Sequence, residues 1–141
     1  MPDTALEQTT AMLGIKPVKT MLDLAPQIQK GLPFKALERV SKHLEISTKL
    51  MNASLGFAHR TVARRAHEKK LSSTESERLV RLSRVLVEAK RVLGSDEKAR
   101  RWVLKPSRAL GGNVPLGMLV TDIGTNAVLE ELGRIDFGVF V

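Results

Sequence analysis

An all-α fold is what this sequence predicts, and three observations carry the expectation. Apolar residues recur at spacings of three and four over long stretches, as at Leu79, Leu82, Leu86, Ala89 and Leu93. Helix start and stop residues flank those stretches, with Ser72 and Glu75 in capping-box register before this one and Gly94 directly after it. No stretch of useful length alternates with a period of two, the mark of a half-buried strand. At 141 residues the chain is the size of one ordinary domain or two very small ones.

Residues 5–30 are weakly patterned, because Gly14, Pro17, Pro26 and Gly31 punctuate short apolar groups. Short helical pieces, packing as an N-terminal arm over residues 1–30, are expected there. From Pro33, suited to a first helical turn, Phe34, Leu37, Val40 and Leu44 define an amphipathic helix. Ser47 is placed to cap a second, short helix with Leu50, Met51 and Leu55 on its inner side, and Gly56 stops it. A third helix over about His59 to Lys69 carries Arg60, Arg64, Arg65, Lys69 and Lys70, with Val62 and Ala66 as apolar fillers.

The longest helix runs from about Thr74 to Leu93, opened by two overlapping capping boxes, Ser72 with Glu75 and Thr74 with Glu77. Its leucine seam is widened by Val80, Val85, Val87 and Val92. Asp96 is placed to cap a helix through Trp102 and Leu104, which must end before Pro106. Gly111 and Gly112 supply a sharp reversal before Pro115 starts a short helix, for which Asn113 is the candidate cap. Thr121 then caps a helix from Asp122 to Leu132, and Gly133 is expected to close it in the left-handed conformation.

The formal charge of +8 is unevenly spread. Residues 31–70 hold nine Lys or Arg against three Asp or Glu, whereas residues 106–141 hold two against four. A basic middle and a mildly acidic end point to one surface for a polyanion and another for a different partner. A solvated lysine-rich surface explains the composition equally well, so position must decide. There is no cysteine, hence no disulfide or thiolate chemistry, and a reducing cytoplasm is the expected setting. No membrane-spanning or targeting segment is read, so no membrane partner is expected.

Helix, turn at Gly56 and arginine-rich helix form the layout of a helix-turn-helix, whose last helix enters the major groove. The candidate DNA contacts are His59, Arg60, Arg64, Arg65 and Lys69, whose cations can neutralise phosphates or, as arginine, reach guanine O6 and N7. A dimer is expected, since one short helix reads few bases. Asn52 stands where a close helix crossing favours Ala or Gly, and Ala58 gives the third helix no side-chain cap. A basic packing module is the alternative.

Catalysis and cofactors are not expected. His59 and His67 lie eight residues apart without carboxylates at ligand spacing, so no metal site is read. No Ser-His-acid arrangement is visible, and the stretch ALGGNVPL lacks the lysine and preceding strand of a phosphate loop.

From Trp102 to Val139 the sequence resembles the C-terminal toxin-binding domain of the Xre/MbcA/ParS antitoxins. The matching positions are Trp102, Pro106, Ala109, Leu110, Gly111, Gly112, Pro115, Leu116, Leu119, Thr121, Gly124, Leu132, Arg134, Ile135, Gly138 and Val139. The similarity extends upstream through Gly31 to Pro33, the Arg64-Arg65 pair and Leu71 to Val85, covering about residues 31–141. Ser107, Val114 and Ala58 depart from the family's pattern.

The resemblance implies a Cro-like helix-turn-helix over residues 31–70 that dimerises and binds operator DNA, then a small helical toxin-binding domain over residues 71–141. It implies a type II antitoxin whose partner is a RES-domain, NAD-consuming toxin, held in a higher-order complex with its active-site cleft covered. On that expectation Arg134, Asp136, Phe137, Val139, Phe140 and Val141 are the toxin-binding residues. A stand-alone helix-turn-helix regulator, or another all-α interaction module, is the rival. Read from the residues alone, Phe137, Val139, Phe140 and Val141 either fold back onto the core or form an exposed apolar patch that waits for a partner.

Overall fold

The computed structural model describes residues 4–138, with the backbone alone for residues 59–62. The helices are α1 (Thr4–Leu13), α2 (Leu24–Lys30), α3 (Phe34–His43), α4 (Thr48–Ser54), α5 (His59–Glu68), α6 (Ser73–Leu93), α7 (Asp96–Leu104), α8 (Pro115–Met118) and α9 (Asp122–Asp136). Single 3-10 turns stand at Met21–Asp23 and Arg108–Leu110. Among the described residues there is no strand, only isolated bridges between Pro33 and Lys70 and between Ser107 and Asn113. The predicted all-α class is what the chain adopts.

Helix α6 is the axis on which α1, α2, α3, α7 and α9 pack. Leu79, Leu82, Leu86 and Ala89 of its predicted seam are fully buried, as is Val85, and Val80 and Val87 are buried beside them. Each such leucine removed from water stabilises the fold by about 1.5–3 kcal/mol. One apolar cluster runs from Leu6 to Leu132, so both halves of the chain share a core. The arm is part of it: α1 lies on α6 and α3 and buries Leu6, Thr9, Thr10 and Leu13. Its threonines are satisfied locally, since Thr9 Oγ1 donates to the Ala5 carbonyl at 2.8 Å and Thr10 Oγ1 to the Glu7 carbonyl at 3.1 Å.

The caps explain where the helices begin. Ser47 Oγ accepts from Leu50 N at 3.1 Å, and Ser72 and Glu75 form the full reciprocal box at the start of α6. Gly94 ends α6 in the left-handed region at φ 100°.

Five expectations are corrected. Leu50, at the third position of α4, faces solvent (49% exposed), leaving Met51, Asn52 and Leu55 on the inner side. Thr74 lies inside α6 and forms no second box; Glu77 pairs with Arg81 instead, at 3.4 Å. Ser95 rather than Asp96 caps α7, its hydroxyl accepting from Lys98 N at 3.1 Å. Asn113 does not cap α8, because its amide donates to the Leu110 carbonyl at 2.8 Å and closes the preceding corner. Gly133 does not end α9, which continues to Asp136; Leu132 is buried and Ile135 half-buried, so the apolar face carries on past the glycine.

Candidate functional site

The helix-turn-helix is assembled by α4, the turn at Gly56 and α5. Met51 and Leu55 are fully buried and Phe57 nearly so, which fixes the two short helices on the core. Gly56 has φ 75°, the left-handed geometry that the turn predicted there requires. Arg78 of α6 braces it, donating from NH1 to the Leu55 carbonyl at 3.0 Å. Ala58 precedes α5 without a side-chain cap, as its composition dictates. Asn52 is buried with its Oδ1 unpartnered among the described residues, a polar atom left without compensation at the helix crossing.

The candidate DNA contacts differ in their freedom. Arg64 projects from α5 with a side chain 62% exposed, and its only carboxylate neighbour among the described residues is Glu68 at 3.9 Å. Lys69 ends α5 in the left-handed region at φ 60° and is exposed. Arg65 turns the other way. Its Nε lies 3.0 Å from Glu75 Oε1 and its NH1 2.9 Å from Glu68 Oε2, so it joins α5 to the capping box of α6. The Glu68 hydrogen bond, with the charges of Glu75 and Glu68 adding to it, raises the Arg65 pKa against the desolvation that lowers it. The side chains of His59, Arg60 and Val62 lie outside the described residues.

At the other end, α7 is followed by a reversal in which Gly111 and Gly112 have φ 69° and 82°. Gly112 N donates to the Ser107 carbonyl at 2.8 Å and Ser107 N to the Asn113 carbonyl at 2.9 Å, closing the corner. Leu110, Leu116 and Leu119 are buried beneath it, with Trp102 packed at the edge of the same cluster. Thr121 Oγ1 then accepts from Gly124 N at 2.9 Å and starts α9. Gly124 is where α9 meets α8 most closely: a Cβ there would lie 2.0 Å from the Met118 carbonyl oxygen. Asp122, at the positive end of α9, is paired with Arg81 of α6.

The outer face of α9 carries Ile123, Glu130, Arg134 and Phe137, spaced so that they fall on one stripe. Ile123 and Phe137, at its two ends, are 84% and 86% exposed. Arg134 pairs with Glu131 at 3.0 Å on its own helix, while Asp136 reaches Arg91 of α6 at 2.9 Å. Glu88 first and Asp136 second raise the Arg91 pKa. Asp136 thus anchors the last turn of α9, and Phe137 stands clear of the core. Val139, Phe140 and Val141 lie outside the described residues.

Sequence reasoning missed the side chains that hold these elements in place. Arg78, and the second use of the capping residue Glu75 as the partner of Arg65, act through contacts made across sequence distance, which periodicity does not encode. Among the described residues no group of three or more His, Asp or Glu is placed to hold a metal ion. No helix among them is long and apolar enough to cross a membrane.

Two family models match the chain in succession. Residues 23–84 match the antitoxin Xre-like helix-turn-helix domain, and residues 88–138 match the antitoxin Xre/MbcA/ParS C-terminal toxin-binding domain. An antitoxin Xre of Photorhabdus laumondii is 30% identical over 79% of this chain and 77% of its own length. An antitoxin Xre of Yersinia enterocolitica is 29% identical over 83% and 80%. A Prs ADP-ribosylating antitoxin of Sphingobium is similar at 29% identity over 80% of this chain and 77% of its own. With a helix-turn-helix and a toxin-binding domain folded on one shared core, this chain belongs to the Xre family of antitoxins and is a regulatory protein, not an enzyme.

Proposed function

We propose that this antitoxin neutralises a RES-domain, NAD-consuming toxin by covering its active-site cleft with the end of α9 and the residues that follow. The observation that carries the reading is Phe137: it stands 86% exposed at the end of a helix anchored by the Arg91–Asp136 pair, within the stretch that matches a toxin-binding domain. Arg134, Asp136, Phe137, Val139, Phe140 and Val141 are the toxin-binding residues. Residues 71–141 form the toxin-binding part, residues 31–70 the DNA-binding and dimerisation part, and residues 1–30 a supporting arm.

The chain also represses its own operon in the cytoplasm, as a dimer whose α5 helices enter successive major grooves and contact operator DNA through His59, Arg60, Arg64 and Lys69, while Arg65, grouped with them from the sequence, is held by Glu75 and Glu68 and braces α5 on α6 instead. Exposed Arg64 supports this most directly. Replacing it by alanine weakens operator binding by about 1–3 kcal/mol. Normal repression by that variant counts against the placement of α5.

Neutralisation is tested by co-expressing the chain with the toxin encoded beside it. The complex copurifies at fixed stoichiometry, and deleting residues 136–141 abolishes protection while the thermal unfolding of the core persists. Unchanged protection would overturn the role of the tail, and absence of any copurifying chain favours a stand-alone regulator. The Sphingobium relative favours a second toxin chemistry, ADP-ribosylation. Incubating the freed toxin with labelled NAD separates the two: a RES toxin depletes NAD without labelling protein, whereas a transferase leaves label on a protein target.

A further inference from the structure

Backbone hydrogen bonds tie the C-terminal end of α5 to the corner between α2 and α3. Phe34 N donates to the Lys69 carbonyl at 3.1 Å, Leu71 N to the Leu32 carbonyl at 2.8 Å, and Leu32 N to Ser76 Oγ at 2.8 Å. Gly31 permits this approach. It has φ 95°, and a Cβ there would lie 2.2 Å from the Leu71 carbonyl oxygen and 2.8 Å from Lys70 Cε. Lys30 and Lys35, on either side of Gly31, are therefore held at the same corner as Lys69 and Lys70. All four are exposed, and none has a carboxylate within 4.0 Å among the described residues.

The same corner receives the start of α6, where the Glu75 carboxylate accepts from Ser72 N and pairs with Arg65, so it offsets the helix end and that guanidinium and none of the four lysines. Glu68 is paired with Arg64 and Arg65, and Glu38 lies one turn beyond Lys35 on α3. Four ammonium groups at one rigid corner repel one another without compensation in the isolated chain, which is the electrostatic signature of a polyanion site.

We propose that Lys30, Lys35 and Lys70, together with Lys69, form a second backbone contact on double-stranded DNA, gripping phosphates beyond the groove that α5 enters. This rests on α5 being the recognition helix, since Lys69 caps that helix and makes the corner continuous with it. Phosphate contacts of this kind fix register and orientation and carry no base information. Lysine suits such contacts, because it is a point charge on a flexible stem that follows spaced phosphates without bidentate geometry.

The test uses the full chain and a random-sequence 30-base-pair duplex, followed by fluorescence anisotropy across a salt series. The slope of log K against log salt changes by about 0.9 for each phosphate neutralised, so the triple variant Lys30→Gln, Lys35→Gln, Lys70→Gln lowers it by roughly 2–3. At 0.1 M salt the same relation gives about eightfold per contact, or on the order of 10²–10³-fold in all. Thermal unfolding, unchanged or raised as the repulsion at the corner is relieved, checks the fold, and Arg64→Ala is the parallel control. A parental slope in the triple variant overturns the inference. If Arg64→Ala weakens binding while the triple variant does not, the second contact alone fails. If neither variant moves binding, DNA recognition by this face fails with it. Loss of toxin capture with DNA binding intact also overturns the inference, because the corner is then an acidic-protein contact.

Discussion

Two glycines of α9 allow one substitution to be tried with opposite expected signs. At Gly124 an added Cβ lies 2.0 Å from the Met118 carbonyl oxygen, 3.0 Å from the carbonyl carbon and 3.0 Å from Thr121 Oγ1. Real contacts of this kind do not fall below 3.0 Å, so the α8–α9 corner must open by about 1 Å against backbone, which has no rotamer to move. Overpacking of this size costs about 1–3 kcal/mol, set against about 0.5–1 kcal/mol gained by alanine in a helix. At Gly133 the added Cβ meets nothing within 4 Å, so only the helix gain remains. Gly124→Ala should therefore lose about 1–2 kcal/mol and Gly133→Ala gain about 0.5–1 kcal/mol, a gap well resolved by urea unfolding with linear extrapolation. Equal stabilities for the two variants would refute the close approach of α8 and α9. A destabilised Gly133→Ala would mean that α9 stops at the glycine after all.

Thr121→Ala removes the cap on Gly124 N and costs about 1 kcal/mol in the same assay; no change would mean that water satisfies that amide equally well. Asn52→Ala removes a buried oxygen without a partner among the described residues and should stabilise by about 1 kcal/mol, whereas a loss would show that the amide fills space the crossing needs. His43 is half-buried and its pKa is lowered, chiefly by desolvation, with Asp96 at 3.7 Å opposing. The unfolded chain therefore binds the proton more readily, so this contribution is complete above about pH 6.5 and is lost as pH falls through the lowered folded value. His43→Gln should flatten the urea midpoint against pH in that window; superimposable profiles would remove the assignment.

The long helix was legible because its period is long and its caps are local. Seam residues and the Ser72–Glu75 box require only spacing, and they fall where spacing puts them. The reversal at Gly111 and Gly112 was legible for the same reason: a proline-bounded gap leaves few conformations. The N-terminal arm was obscure because half of the buried face of α1 is threonine, polar by composition and apolar in use once its hydroxyl bonds the preceding turn. Ser41 and Ser83 do the same on α3 and α6. Gly133 misled because a glycine ends a helix only when the following residues abandon it, whereas Ile135 stays half-buried and Asp136 pairs with Arg91. At the candidate site, the basic character of α5 was plain, but the direction of each arginine was not. Arg64 and Arg65 are neighbours in sequence facing solvent and core respectively, and only the position of Glu75 separates them.

Helix α6 begins at Ser73 inside the region matching a DNA-binding domain and ends at Leu93 inside the region matching a toxin-binding one. No hinge separates the two. At 1.5 Å per residue its 21 residues make a strut of about 31 Å. If the partner seats on α9, as proposed, it is carried at a set distance and angle from whatever α5 touches. Crowding among neighbouring partners on one duplex would then be decided by the length of this strut, in the way the pitch of a rack decides how many plates it holds.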